Sequence, residues 1–275
     1  MVPLVEFAAH AYILVTGCAW IAYWILALGR DLWYILNILV RYYWIRFDRP
    51  FMLNRDGSDI PIILVHGSSG NQYEWMPAIP FIQRQFPNHP IFAFSLDLEF
   101  DEKTERQVGG EKIRMYGMKR LAYQHNWTTE DYANQLHVRL CKLNIQKCIL
   151  FGHSMGGLIA AQYECMNRDR VKKVVTFASP LQGAPALRNR FLRWYLDSHR
   201  HRQMVPDSEY LRVLGIHASY RSEKYMTIGS ENDFQVPYKY AVFPFGESLR
   251  LWGYGHCSVV FSPHVWQIVS EFIKK

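Results

Sequence analysis

The sequence predicts an α/β fold: a mostly parallel sheet of about six strands with helices on both faces, preceded by an apolar helical segment. Three observations carry this. After residue 58, short apolar runs alternate with helix-compatible runs, the pattern of strand–helix–strand crossovers. One apolar run, Lys147-Cys148-Ile149-Leu150, passes through Phe151-Gly152-His153-Ser154-Met155-Gly156-Gly157 straight into the helical run Leu158–Tyr163. The chain also opens on a stretch from Phe7 to Gly29 that holds no formal charge.

That opening stretch sets the first boundary. It is about 23 residues long, against the roughly 20 needed to cross the hydrocarbon of a bilayer. A secretory signal would need a basic start and a shorter apolar run, whereas Glu6 stands near the start here. Arg30-Asp31 interrupts, and an aromatic-rich run follows from Leu32 to Phe47. Arg30, Asn37, Arg41 and Asp48 share one helical face of it, which suits a helix lying at a membrane interface. Residues 1–50 are therefore expected to form a membrane-anchoring helix or hairpin. Arg30, Arg41, Arg46 and Arg49 all follow the apolar run, which by the positive-inside rule puts the remainder of the chain in the cytoplasm. Asn126-Trp127-Thr128 has sequon spacing, so efficient glycosylation there would contradict that orientation.

The polar run Asn54–Asp59 is read as a linker, and residues 51–275 as one domain. Its expected strands are Ile60–Val65, Ile91–Leu96, Lys147–Phe151, Lys172–Phe177, Tyr225–Ile228 and Ser248–Trp252. Its expected helices are Trp75–Gln85, Thr129–Asn144, Gly157–Asn167 and Pro263–Ile273. The charged stretch Glu99–Gln124 has no readable period. The insertion 186–224 has eight Lys or Arg against four acids, interleaved with Phe191, Trp194 and Tyr195, which suggests a lid that touches lipid headgroups.

Bulk properties narrow the classes. A hydrophobic content of 49% and an aromatic content of 15% exclude a disordered chain. The net charge of +7 comes from scattered residues, so there is no nucleic-acid footprint, while a basic, aromatic-rich chain suits an anionic membrane surface. Five cysteines, an odd number without paired ligand spacing, fit a reducing compartment and point to neither a disulfide framework nor a metal site. No cofactor is called for, and the sequence names no protein partner.

The Gly152-x-Ser154-x-Gly156 turn between strand and helix is the context of a nucleophile elbow. The serine sits on a tight turn, and bulky residues two positions to either side would clash with the strand and the helix. Upstream, Ile62-Ile63-Leu64-Val65 runs into His66-Gly67-Ser68-Ser69-Gly70. Together these segments resemble an α/β-hydrolase of the lipase and esterase type. The resemblance runs from about Ile60 to the C-terminus. It implies an oxyanion hole from the backbone N–H groups of Ser68 and Met155, with His66 and Gly67 beside the substrate.

Gly229-Ser230-Glu231-Asn232-Asp233-Phe234-Gln235-Val236-Pro237 resembles the family's acid loop, which implies Asp233 as the acid and Glu231 as its fallback. Gly253-Tyr254-Gly255-His256-Cys257 resembles its base loop, implying His256. The chain order Ser154, Asp233, His256 is the one this fold uses. His153 is read as packing beside the turn, and Cys257 likewise, since it stands on the wrong loop for a nucleophile. Ala178-Ser179-Pro180-Leu181-Gln182-Gly183-Ala184-Pro185 resembles a segment of bacterial lipases, which places Leu181 at the substrate.

The room before Ile60 implies a sheet reduced at its N-terminal edge. The resulting expectation is a membrane-associated serine hydrolase that cleaves carboxylic esters of lipids. The same triad also serves an acyltransferase or an acyl-protein thioesterase. A catalytically silent, membrane-bound binding platform is the competing class, against which the intact set of residues argues.

Overall fold

The computed structural model describes residues 19–33, 36, 51–54, 56–68, 70–93, 95–96, 98–108, 111–120, 127–189 and 199–275. In chain order the elements are α1 (19–33), β1 (Phe51–Leu53), β2 (Ile62–Val65), α2 (Ile79–Gln85), β3 (Ile91–Ala93), β4 (Leu98–Val108), β5 (Glu111–Arg120) and α3 (Thr129–Lys142). They continue with β6 (Cys148–His153), α4 (Met155–Met166), β7 (Val171–Phe177), α5 (His199–Gln203), α6 (Glu209–Ser219), β8 (Tyr225–Ser230), α7 (Tyr238–Ala241), β9 (Glu247–Leu251) and α8 (Pro263–Lys274).

Among the described residues the main sheet has seven strands in the order β1-β3-β2-β6-β7-β8-β9. All neighbours are parallel except β1, which runs antiparallel to β3 with Phe51 opposite Ala93 and Leu53 opposite Ile91. Every residue of β2, β6 and β8 is buried. Parallel strands covered on both faces must be apolar throughout, which is why they read as unbroken runs rather than alternations. β9, at the edge, alternates instead.

The core is split by the sheet. On one face α3, α4 and α6 pack Tyr132, Leu136, Leu158 and Leu211 against Ile63 and Leu150. On the other, α2 and α8 pack Ile82, Trp266, Val269 and Phe272 against Ile149, Phe151 and Phe177. Trp266 sits 5.7 Å from Phe151 and 5.1 Å from Phe177, ring centroid to centroid, contacts worth about 1 kcal/mol each beyond their area. Its indole N–H donates to Val260 O at 2.7 Å, so the buried donor is satisfied. α3 begins with a reciprocal cap: Asp131 N donates to the Thr128 hydroxyl, and Thr128 N donates to the Asp131 carboxylate.

Several expectations are corrected. The sheet has seven strands rather than about six, because β1 is a three-residue antiparallel edge too short to show a period. The expected helix Trp75–Gln85 is two pieces, a 3₁₀ turn Gln72–Trp75 and then α2. Pro77 lies between them, where it cannot donate to a continuous helical ladder, and Pro80 sits in the first turn of α2, where a proline costs nothing. The unread stretch Glu99–Gln124 is mostly an antiparallel hairpin of β4 and β5, separate from the main sheet. Of the expected lid, residues 190–198 lie outside the described set, including Phe191, Trp194 and Tyr195. α6 is a core helix, with Leu211, Leu214 and Ala218 buried.

The first part of the expected span Phe7–Gly29, most of the run to Phe47 and the sequon residue Asn126 also lie outside the described residues. Among the described residues no helix is long and apolar enough to cross a membrane. α1 instead lies against the segment that follows β9, burying Ala27 and Asp31 and leaving Ile21, Ile25, Leu28 and Leu32 exposed.

Candidate active site

β6 ends at His153, and the chain turns at Ser154, whose φ of 53° lies in the left-handed region that non-glycine residues avoid. That strain is held by close packing. A Cβ on Gly156 would overlap the backbone oxygens of Val65 and His66 at the end of β2, and one on Gly152 would overlap Gly156 O. Neither position has room for a side chain, so β6 and α4 meet the tip of β2 at backbone distance. Ser154 N donates to Phe177 O at 2.9 Å, which fixes the turn from the β7 side.

The residues named from the sequence come together here. His256 Nε2 lies 2.9 Å from Ser154 Oγ, and His256 Nδ1 lies 2.8 Å from Asp233 Oδ2. Asp233 is fully buried, and its other oxygen accepts from Gln235 N at 2.8 Å and Val236 N at 2.9 Å. A carboxylate so held only accepts, so Nδ1 of His256 bears the ring proton and Nε2 is left to accept from the serine hydroxyl. Glu231 is elsewhere, paired with Arg250 at 2.6 Å.

A cavity of about 310 Å³ opens above these groups, lined among others by Gly67, Ser68, Asn71, Ser154, Gln235 and Cys257. Among the described residues its lining carries no aliphatic side chain. Among the described residues the Ser68 hydroxyl is buried without a hydrogen-bond partner. Met155 is the first residue of α4, directly after Ser154.

Two expected substrate positions are not on this cavity. Leu181 is buried in the core with Leu187 and Met204. His66 is also buried and already occupied: its Nε2 accepts from Leu96 N at 2.9 Å, so Nδ1 carries the proton and donates to Gly67 O at 2.8 Å. It orders the loop from within rather than facing a ligand. Cys257 does reach the cavity, but burial, reinforced by the nearby Asp31 carboxylate, pushes its thiol well up, which suppresses the thiolate.

Glu74 is a residue that the sequence reading missed. Both its carboxylate oxygens accept from Gly67 N at 3.1 Å, and Oε1 lies 2.5 Å from His153 Nδ1. The other nitrogen of His153 donates to His256 O at 2.8 Å, because a carbonyl can only accept. Burial alone would push the Glu74 carboxyl up, but the His153 ring, helped by the Gly67 N–H, holds it below its ordinary value. Burial alone would push His153 down, but Glu74 and the His256 carbonyl hold it above its ordinary value. The two form an ion pair of carboxylate and imidazolium linking the Gly67 loop, the elbow and the His256 loop. His153 is therefore a strut between loops rather than simple packing.

The sequence profile of the α/β-hydrolase fold family matches residues 60–203. The chain belongs to that family. No curated protein sequence matches it. Among solved structures, the mature lipase BlEst2 of Bacillus licheniformis superposes with a TM-score of 0.54 at 14% identity, covering 82% of this chain and 98% of that one. A meta-cleavage product hydrolase of Pseudomonas fluorescens, a serine-to-alanine mutant complexed with acetates, gives 0.56 at 15% identity, covering 82% and 93%. A serine hydrolase of Cycloclasticus zankles gives 0.52 at 15%, covering 81% and 92%. At these identities the likeness is one of α/β-hydrolase fold. Ser68, Ser154 and Met155 fall inside the profile match, whereas Asp233 and His256 lie beyond it.

Proposed function

We propose that this α/β-hydrolase is a membrane-associated serine hydrolase that cleaves carboxylic esters of lipids through an acyl-enzyme on Ser154. The observation that carries the reading is the unbroken chain Ser154–His256–Asp233, whose first two members line the cavity. A serine hydroxyl attacks an ester only if a base removes its proton during attack. His256 Nε2 takes that proton as Ser154 Oγ bonds to the carbonyl carbon, and Asp233 stabilises the resulting imidazolium. The oxyanion is bound by the N–H groups of Ser68 and Met155, an effect worth about 3 kcal/mol per donor. His256 then protonates the departing alcohol as the C–O bond breaks. Water, deprotonated by the same ring, releases the acid and restores Ser154.

Support for a lipid substrate comes from the neighbourhood. The cavity includes Cys257, whose N–H is held by Asp31 of α1, and the outer face of that helix carries exposed Ile21, Ile25, Leu28 and Leu32. A helix with such a face suits the lipid interface. On this reading the N-terminal segment anchors the enzyme. The hydrolase body faces the cytoplasm, in line with the arginines that follow the apolar run.

A fluorophosphonate probe on the detergent-solubilised full chain tests the chemistry. Wild type labels and Ser154→Ala does not. Equal labelling of the two, or none of wild type, defeats the reading.

A further inference from the structure

The loop that carries His256 is built against a helix that precedes the whole catalytic body. Within 19–33, only Ala27 and Asp31, one turn apart, are buried. Asp31 is the acid of this helix, and it is turned inward. The residue is 6% exposed, and Oδ1 accepts from Ser258 N at 2.8 Å and Cys257 N at 3.2 Å, the two residues directly after His256. A carboxylate withdrawn from water at this cost stays only where donors replace the lost hydration.

The loop is shaped to receive it. A Cβ on Gly255, directly before His256, would overlap the Asp31 carboxylate; one on Gly253 would press on the Tyr23 ring, with Arg30 beside it. Arg30 donates to Gly253 O at 2.5 Å and lies 4.3 Å from the Tyr254 ring centroid. Trp20 and Tyr23 both pack on Trp252. From Trp252 to Ser258 the loop thus meets α1 on both sides of His256.

We infer that Asp31 is a positioning residue for His256: the N-terminal helix sets the catalytic base through the two amides that Asp31 holds. The inference rests on the Ser154–His256 reading and goes beyond anchoring. Asp31 touches neither substrate nor reacting atoms. It fixes the backbone from which the imidazole reaches Ser154. Displacement of a reacting group by about 1 Å costs on the order of a hundredfold in rate.

The test uses the detergent-solubilised full chain and p-nitrophenyl butyrate, with kcat expressed per Ser154 titrated by fluorophosphonate, so that unfolded protein does not count. Asp31→Ala lowers kcat about a hundredfold with KM within about twofold, while Asp31→Asn, which keeps the accepting oxygen, stays within about threefold of wild type. Gly255→Ala lowers kcat in the wild-type background, but costs nothing further once Asp31→Ala has removed the carboxylate that it strikes. An Asp31→Ala enzyme with wild-type kcat per site overturns the inference. So does a Gly255→Ala penalty of equal size in both backgrounds, or an Asp31→Asn enzyme as impaired as Asp31→Ala. If wild type fails to label, the serine reading falls and takes the inference with it. If wild type labels and the two substitutions act independently, the inference alone falls.

Discussion

The His256 loop is held by two carboxylates of opposite character. Glu74, on the inner side, belongs to the catalytic body and works through His153, pairing a buried anion with a buried cation at the point where the elbow, the Gly67 loop and the His256 carbonyl meet. Asp31, on the outer side, comes from a helix before the sheet and meets only backbone N–H groups of the loop. The inner support is part of the core and cannot be lost without damaging it. The outer one comes from a helix that precedes every strand of the sheet. The difference predicts that losing the inner support costs stability and rate together, and losing the outer one costs rate alone.

The largest effect is expected on the inner side. Glu74→Gln leaves His153 without its counter-charge and Gly67 N–H with a weaker acceptor, so kcat falls about a hundredfold and stability by about 3 kcal/mol. The stability loss depends on pH. The raised value of His153 makes its contribution complete below its ordinary value of 6.5 and lost as pH rises through the folded one. The lowered value of Glu74 makes its contribution complete above 4.5 and lost as pH falls through the folded one. The difference in unfolding midpoint between wild type and Glu74→Gln is therefore greatest between pH 4.5 and 6.5, as thermal melts across pH will show. A pH-independent difference would remove the ion pair from the comparison.

A smaller effect belongs to the outer side. Arg30→Met gives up the bond to Gly253 O and the contact with Tyr254, lowering kcat about fivefold with little change in the unfolding midpoint of the body. Steady-state kinetics beside a melt decide this, and a fall in stability as large as that of Glu74→Gln would erase the distinction. The smallest effect on chemistry is expected at Ile25, which is 65% exposed. Ile25→Ser leaves hydrolysis of a soluble short-chain ester unchanged while weakening sedimentation with anionic vesicles about tenfold, the scale of one aliphatic side chain leaving lipid. Unchanged vesicle binding would detach the outer helix from the membrane.

The residues in the hydrogen-bonded chain were legible because each carries a local marker: glycines around Ser154, Val236-Pro237 after Asp233, a strand before His256. Glu74 has no such marker, since it lies 79 positions from His153 and the pairing exists only once the sheet has formed. Asp31 did leave a trace. Arg30-Asp31 is the charged interruption of an apolar run, and it read as the end of a membrane span because helical periodicity says which face a charge occupies but not what will cover it. The β4–β5 hairpin escaped because its strands are charged rather than alternately apolar. Gly109-Gly110, between them in sequence, was the usable turn signal. His66 and Leu181 were assigned to the substrate by resemblance. The structure spends the first on the Leu96 and Gly67 backbone and the second on the core.

The bond between Asp31 and Ser258 spans 227 positions of a 275-residue chain, nearly end to end. During synthesis at about 5–20 residues per second, the helix that sets the base is made on the order of ten to fifty seconds before the loop that it holds. All nine strands among the described residues lie between the two residues, so this contact can form only after every one of those strands has been synthesised.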